Sequence, residues 1–505
     1  MMLAQDDLFQ APNIEWFHLS PIIALISGAL VLLVVGALTP QWPRGLYAAL
    51  TALTAAVAGG LAIFQWNTIS DDGVATLAGR AVAFDSLAQI ITITICAATL
   101  LVALVTGDEL HRAGKDAPEV YALMLVAATG GIVMGSANDL ILLFLGLETL
   151  SLALYVLAAS DRLRPTSQEA GLKYFVLGGF ASAFFLYGIA LVYGGTQSTN
   201  IGEIIESFQT SVLVDGKDSL VLAGIALLIV GLGFKVAAVP FHVWTPDVYQ
   251  GAPTNVTAFM ASVGKTAAFA AMLRVLVIAL PFHRDDWRPV IWILALLSLV
   301  IGSVVAVVQT DVKRMLAYSS ISHAGFILVG IEAAGHDAGA VVVGDGMPSV
   351  VTYLLLYSVL TVGSFAVVSL VARNNGGDTS LDAFKGLAQR RPLLALALTV
   401  FLLAQAGVPL TSGFVAKWGV IQAAVEQESY AIAIIAMVAA VVAAFLYLRI
   451  MVSTWLESGA DSTQREAIPL ATGIAVFGAA AFTLFVGVWP SWLLDAAQNV
   501  TTYAR

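Results

Sequence analysis

Long apolar runs, each closed by a short polar or Gly/Pro-containing segment, recur along the whole chain and set its architecture. A helix that crosses hydrocarbon needs about 20 mostly apolar residues. Within lipid only helices and closed barrels satisfy their own backbone hydrogen bonds. The runs predict about fourteen transmembrane helices, at 20–38, 46–66, 84–106, 119–136, 139–159, 171–194, 219–243, 255–281, 289–308, 316–334, 349–372, 393–423, 429–452 and 468–489. The expected fold class is an all-α integral membrane protein.

Composition agrees, because 59% of the 505 residues are hydrophobic and only 11% are charged, against roughly 25% in a soluble domain. The acidic stretch before Ser20 lacks the basic start of a secretory leader. The run from Pro21 to Thr39 is therefore expected to be retained as the first span. The single cysteine, Cys96, lies in an apolar run, which leaves no disulfide framework and no thiolate set for an iron–sulfur cluster. It is expected to pack or to face lipid. The net charge of −10 assigns no partner, and the pattern points to the lipid bilayer and not to nucleic acid.

Lysine and arginine in short loops mark the cytoplasmic side. Thirteen of the 23 basic residues fall in or beside odd-numbered loops, among them Arg44, Arg112, Lys115, Arg162, Arg164 and Arg465. Only Arg80, Lys217, Arg284, Arg288 and Arg505 fall on the other side. Both termini are thus expected to face away from the cytoplasm. The five remaining basic residues, Lys173, Lys235, Lys265, Arg274 and Lys417, lie inside predicted spans.

Two spans are expected to be interrupted. The seventh carries Pro240, which removes a helix hydrogen bond, with Pro246, Gly251 and Pro253 prolonging the irregular stretch. The twelfth carries Gly407, Pro409 and Gly413 within a run long enough for two half-helices. Each has a lysine near the break, Lys235 and Lys417. They stand five positions apart in the span order, so repeats covering spans 4 to 8 and 9 to 13 would have opposite topology, the arrangement that paired broken helices signal in transporters. Two proline kinks without a repeat fit the same pattern.

An ionisable side chain near the bilayer centre costs from a few to more than ten kcal/mol, which makes it a functional candidate. Glu148 stands about ten residues into the fifth span, roughly 15 Å deep at about 1.5 Å per residue. Lys265 stands at a similar depth in the eighth, beside the small residues Ala261, Ser262 and Gly264. Burial disfavours the charged lysine and a nearby carboxylate favours it, so a Lys/Glu set can take up or release a proton as its partner changes. A static ion pair between Glu148 and Lys235 is the structural alternative. For Lys173 and Arg274, nearer span ends, snorkelling to the interface competes with a transport role. His242, after the break, and His323, beside Ser319, Ser320 and Ser322, are either relay positions or satisfied helix neighbours. No G-x-G-x-x-G or P-loop is present.

The stretches GLGFKVAAVPFHVWTPDVYQGAPTNVTAFMASVGKTAAF, FLGLETLSLALYVL, DVKRMLAYSSISHAGFILVG and GVPLTSGFVAKW resemble the antiporter-like membrane subunits of the proton-pumping NADH:quinone oxidoreductase, respiratory complex I, over nearly the whole chain. Within that family the segment DVYQGAPTNV and the lysine-bearing ASVGKTAAF are similar to the N branch. The L and M branches usually have an acidic, proline-rich segment and a histidine-bearing eighth helix.

The resemblance implies fourteen helices as N-terminal helices over 1–118, inverted five-helix repeats over 119–281 and 289–452, and a last helix with tail over 468–505. It implies Glu148 and Lys235 as the charged pair of a first half-channel, Lys265 as the central lysine and Lys417 in a second half-channel, with His323 and Lys173 auxiliary. It implies no cofactor in this chain. NADH, FMN, iron–sulfur clusters and quinone would sit elsewhere in a complex whose membrane-arm neighbours are the K and M subunits, in the bacterial inner membrane. A subunit of a cation/proton antiporter or a related hydrogenase complex is a second reading, and a non-conducting assembly scaffold a third.

Overall fold

The computed structural model describes residues 14–38, 45–112, 117–210, 217–338, 344–458, 467–501 and 504. Arg44, Lys115, Arg465 and Arg505, counted above for orientation, lie outside the described residues, as does the stretch before Ile14.

Thirteen helices among the described residues are long and apolar enough to cross a membrane, and Pro392–Ala406 is a shorter apolar helix between them. The predicted spans and the observed helices coincide to within a few residues over most of the chain, since each apolar run is itself the helix-forming segment. Burial sorts them into layers. The windows of Thr254–Ala279, Val312–His336 and Gly346–Asn374 are almost wholly enclosed, whereas Ser20–Leu38 is mostly exposed. A helix that is apolar all round and enclosed is a core helix. These three therefore form the centre of the bundle, with the other spans around them.

Two departures from expectation lie between spans. A two-stranded antiparallel hairpin, Ala75–Leu77 with Val82–Phe84, follows the second span, and an amphipathic helix, Ile201–Thr210, follows the sixth. Both are too short for the span-length apolar signal.

The seventh predicted span leaves helical conformation at Val236, and Thr245–Gly251 forms a separate short helix. Ala237 adopts φ 61° at this exit. Pro246 does not prolong the irregular stretch, as expected, but starts the new helix, where its missing N–H costs nothing. The twelfth predicted span is two helices, Pro392–Ala406 and Ser412–Glu426, separated at Gly407 with φ 89°, a conformation glycine adopts without strain.

One local device occurs twice. Asp139 caps Leu140–Ala158, accepting from the Ile141 N–H at 2.8 Å and from the Thr199 hydroxyl at 2.7 Å. Asp311 caps Val312–His336, accepting from the Arg314 N–H at 3.0 Å and from the Thr379 hydroxyl at 2.5 Å. In each case the residue after the aspartate donates its N–H to that threonine's carbonyl. The device stands at the start of the fifth predicted span and of the tenth, five spans apart.

Candidate functional site: a line of buried lysines

Lys235, on the last turn of Lys217–Val236, is held in an aromatic box. Its ammonium donates to the Tyr155 hydroxyl at 3.3 Å and stands 5.1 and 5.3 Å from the centres of the Tyr155 and Tyr174 rings, within cation–π range. Trp244, just past the break, stacks on Tyr174 at 4.5 Å. Glu148 is not in direct ion contact with Lys235, contrary to the simplest form of the expected pair. The carboxylate is hydrogen-bonded by the Ser182 hydroxyl, and Tyr155 takes the ammonium.

Lys265 follows a π-helical turn, Met260–Gly264, a local widening frequent at functional positions. Its side chain is enclosed, and its ammonium donates to the Ser320 carbonyl at 2.6 Å. Lys417, on the second half-helix, donates to the Ala406 carbonyl at 3.1 Å. That carbonyl closes the first half-helix, where the helix dipole favours a cation. The same ammonium lies 4.7 Å from the Phe326 ring centre.

Ser320, His323 and Phe326 recur every three residues and so share a face of Val312–His336. Lys265 meets this face at Ser320 and Lys417 meets it at Phe326, about 9 Å apart along the axis. His323 stands between them. One ring nitrogen is hydrogen-bonded to the Tyr353 hydroxyl at 2.6 Å and the other to the Tyr447 hydroxyl at 3.3 Å. Tyr447 is also joined to Ser319 at 2.6 Å, and Tyr357 donates to the Ser320 hydroxyl at 2.7 Å. Gln405 donates to Ser364 at 2.6 Å and accepts from Ser319 at 3.4 Å. Hydroxyl and imidazole groups donate and accept at once, and here they form two hydrogen-bonded sets on the helix face that both lysines meet, Tyr357–Ser320 and Tyr353–His323–Tyr447–Ser319–Gln405–Ser364.

Lys235, Lys265 and Lys417 are all buried, yet among the described residues none has a carboxylate partner within ion-pair distance. Arg274 is the contrast. It does not snorkel to the interface, as its place near a span end allowed. It is fully buried and forked onto Asp85 at 2.6 and 2.7 Å, with its Nε donating to the Gly135 carbonyl at 2.9 Å. That is a fixed pair, which the three lysines lack.

Lys173 lies on the bundle's surface, bridged to Glu169 at 2.7 Å and to Asp247 at 2.8 Å. Arg314 reaches the same aspartate at 2.7 Å. Burial raises the Asp247 carboxyl, but the hydrogen bonds from Lys173 and Arg314 outweigh it and hold the group below its usual range. His242 is half-buried with its Nδ1 unpartnered and is not joined to the line. Sequence reasoning missed the aromatic members. A signal was present in YLLLYSVL, where Tyr353 and Tyr357 are four apart on one face of an apolar run.

A cavity of about 950 Å³ lies beside the Lys235 box. Its walls include Glu119, Asp161 and Arg162 at helix ends and Glu109, Phe175, Asn255 and Tyr155 further in.

Fold and site together define a multi-pass α-helical membrane protein with a buried line of ionisable groups. The chain belongs to the family described as NADH:quinone oxidoreductase/Mrp antiporter membrane subunits, which matches residues 137–443, and within it to the subunit N proteins. NADH-quinone oxidoreductase subunit N 3 of Streptomyces griseus is 41% identical, with 99% of this chain and 97% of that protein aligned. Subunit N of Rhodococcus opacus is 40% identical over 100% and 99% of the two chains. A chain of respiratory complex I from Thermus thermophilus superposes with a TM-score of 0.78 at 32% identity, covering 95% of this chain and 99% of that one. A chain of the Mrp complex from Dietzia, at 22% identity and a TM-score of 0.81 over 96% of each, shares the fold.

Proposed function

We propose that this chain moves protons across the membrane within an NADH:quinone oxidoreductase, along Glu148, Lys235, Lys265 and Lys417 with His323 as an intermediate carrier. The observation that carries this reading is the set of three enclosed lysines without carboxylate partners, two of which meet a single hydroxyl- and imidazole-bearing helix face. A scaffold gains nothing from unpaired buried charge, which is costly in lipid. A relay needs groups whose proton is not fixed by a partner.

Electron transfer is assigned to other subunits, where NADH, FMN, iron–sulfur clusters and quinone are bound, with K and M as membrane-arm neighbours. The bacterial inner membrane is the site of action. By the distribution of basic residues both termini face away from the cytoplasm. The cavity beside Tyr155 then opens toward the cytoplasm and supplies protons to the Lys235 box. An electrostatic change elsewhere in the complex would alter the Glu148/Lys235 pairing and drive the proton on Lys265 past His323 to Lys417.

The inverted repeats over 119–281 and 289–452 belong to the same proposal, flanked by 1–118 and by 468–505. The repeated aspartate–threonine cap, five spans apart and hence at opposite membrane faces, supports them. Lys173 and His242, off the line, act at most as accessory groups at its cytoplasmic approach.

The test is neutralisation of each principal position in turn in the assembled complex, with pumping and NADH:quinone electron transfer measured together. The proposal expects reduced pumping at Glu148, Lys235, Lys265 and Lys417. Pumping unchanged at all four would establish the scaffold reading in its place.

A further inference from the structure

Between the Lys235 box and Lys265 stands a residue that the relay above does not use. Tyr249 lies on Thr245–Gly251, the short helix placed by the break after Val236, and is completely buried. Its ring meets Trp244 edge-on at 6.1 Å on one side and Phe365 at 6.3 Å on the other. Trp244 is the residue stacked on Tyr174, the wall of the Lys235 box. The Tyr249 hydroxyl lies near Ser320 and Tyr357 as well as Tyr174, and Ser320 is the residue whose carbonyl takes the Lys265 ammonium.

Packing accounts for the ring but not for the oxygen. The Tyr249 hydroxyl is enclosed and has no well-formed hydrogen bond: the Ser320 hydroxyl stands beside it but already accepts a hydrogen bond from Tyr357 at 2.7 Å. A buried hydroxyl left unpaired lowers stability, and phenylalanine would fill the same volume without that loss. Orphaned polar groups of this kind point to a role beyond packing.

We propose that the Tyr249 hydroxyl is the relay group that carries protons from the Lys235 box to the Ser320/Lys265 site. This rests on the proton-translocation reading above. The step is balanced: a proton arriving from the Lys235 side forms a bond to the phenol oxygen as the phenol's own O–H bond breaks toward the Ser320 hydroxyl oxygen, and that hydroxyl gives up its own proton to Lys265 when the lysine is a neutral amine. Tyr249 is neutral before and after, and one proton leaves Lys235 for each that reaches Lys265. The break after Val236 thereby gains a purpose, since a continuous helix through this segment would not bring the short helix and its phenol against Ser320.

The experiment compares Tyr249→Phe with Lys265→Ala in membranes carrying the whole complex. Assembly is checked on native gels, and proton pumping is measured per electron passed from NADH to quinone. Tyr249→Phe keeps the ring, so the complex assembles, and pumping per electron falls to the level of Lys265→Ala. Wild-type pumping in Tyr249→Phe beside impaired pumping in Lys265→Ala overturns the proposal and leaves the relay intact. Wild-type pumping in Lys265→Ala overturns the relay itself. If Tyr249→Phe fails to assemble, Ser320→Ala removes the accepting hydroxyl while keeping the carbonyl that holds Lys265, and the same comparison decides.

Discussion

Arg274 and Lys265 sit one after the other on the same enclosed helix and illustrate two fates of a buried cation. Arg274 has a forked carboxylate partner and a backbone acceptor, while Lys265 has a carbonyl alone. Removing one member of a buried pair strands the other, at about 3–5 kcal/mol. Arg274→Met should lower the stability of the purified complex by about that amount, and Asp85→Leu together with Arg274→Met should recover much of it in a thermal unfolding series, because replacing both members is often neutral. Gly178 offers a test of the Lys235 box. A Cβ there would collide with the Tyr155 hydroxyl, the group that holds the ammonium, so Gly178→Ala should reduce pumping with assembly retained, and Gly178→Ser no less. At this scale the sequence exposes charges in apolar runs, which is why Glu148, Lys235, Lys265 and Lys417 are readable without coordinates. It hides partners. Asp85, at the mouth of the third span, and Tyr155, Tyr447 and Gln405, each on a helix distant in sequence, carry no local mark of what they will touch.

Helix existence was legible because a run of about 20 apolar residues has one stable outcome in lipid, and the breaks were legible from proline and glycine. Their finer form was not. Pro246 reads as a breaker but stands at a helix start, where proline is favoured, and the paired π-helical stretches of the eighth span leave no trace in its apolar pattern. The twelfth predicted span shows what the break demands. A Cβ at Gly413 would overlap the Ala404 carbonyl, so the two half-helices approach as closely as backbone allows. Gly413→Ala should force them apart, move Lys417 from the Ala406 carbonyl, and lower both assembled complex on native gels and pumping per electron. By contrast Asp247, half-exposed between Lys173 and Arg314, joins three elements through solvent-screened contacts. Asp247→Asn should cost at most about 1 kcal/mol, and high salt should erode the same increment in the unaltered protein.

Across the whole molecule the three most enclosed helices are also the ones that carry Lys265, His323 and Tyr353 with Tyr357, so the most heavily buried layer is the most polar in function. Soluble cores exclude such groups; here the surrounding helices shield them from lipid, and Lys265 and Lys417 meet the His323 helix at Ser320 and Phe326. Orientation and partners were readable only as expectations, from the placement of basic loops and from family resemblance, since neither neighbours nor bilayer are encoded in contacts within one chain. The proposed proton role of Lys265, beyond packing, decides whether the buried lysines work as a relay. It is tested most directly by the number of protons pumped per electron in membranes carrying Lys265→Ala, once normal assembly of the complex is verified. Proton passage through Lys265 gives a clear drop in that ratio in the variant, with or without slower electron transfer, whereas a ratio and a rate equal to wild type would leave Lys265 a packing residue.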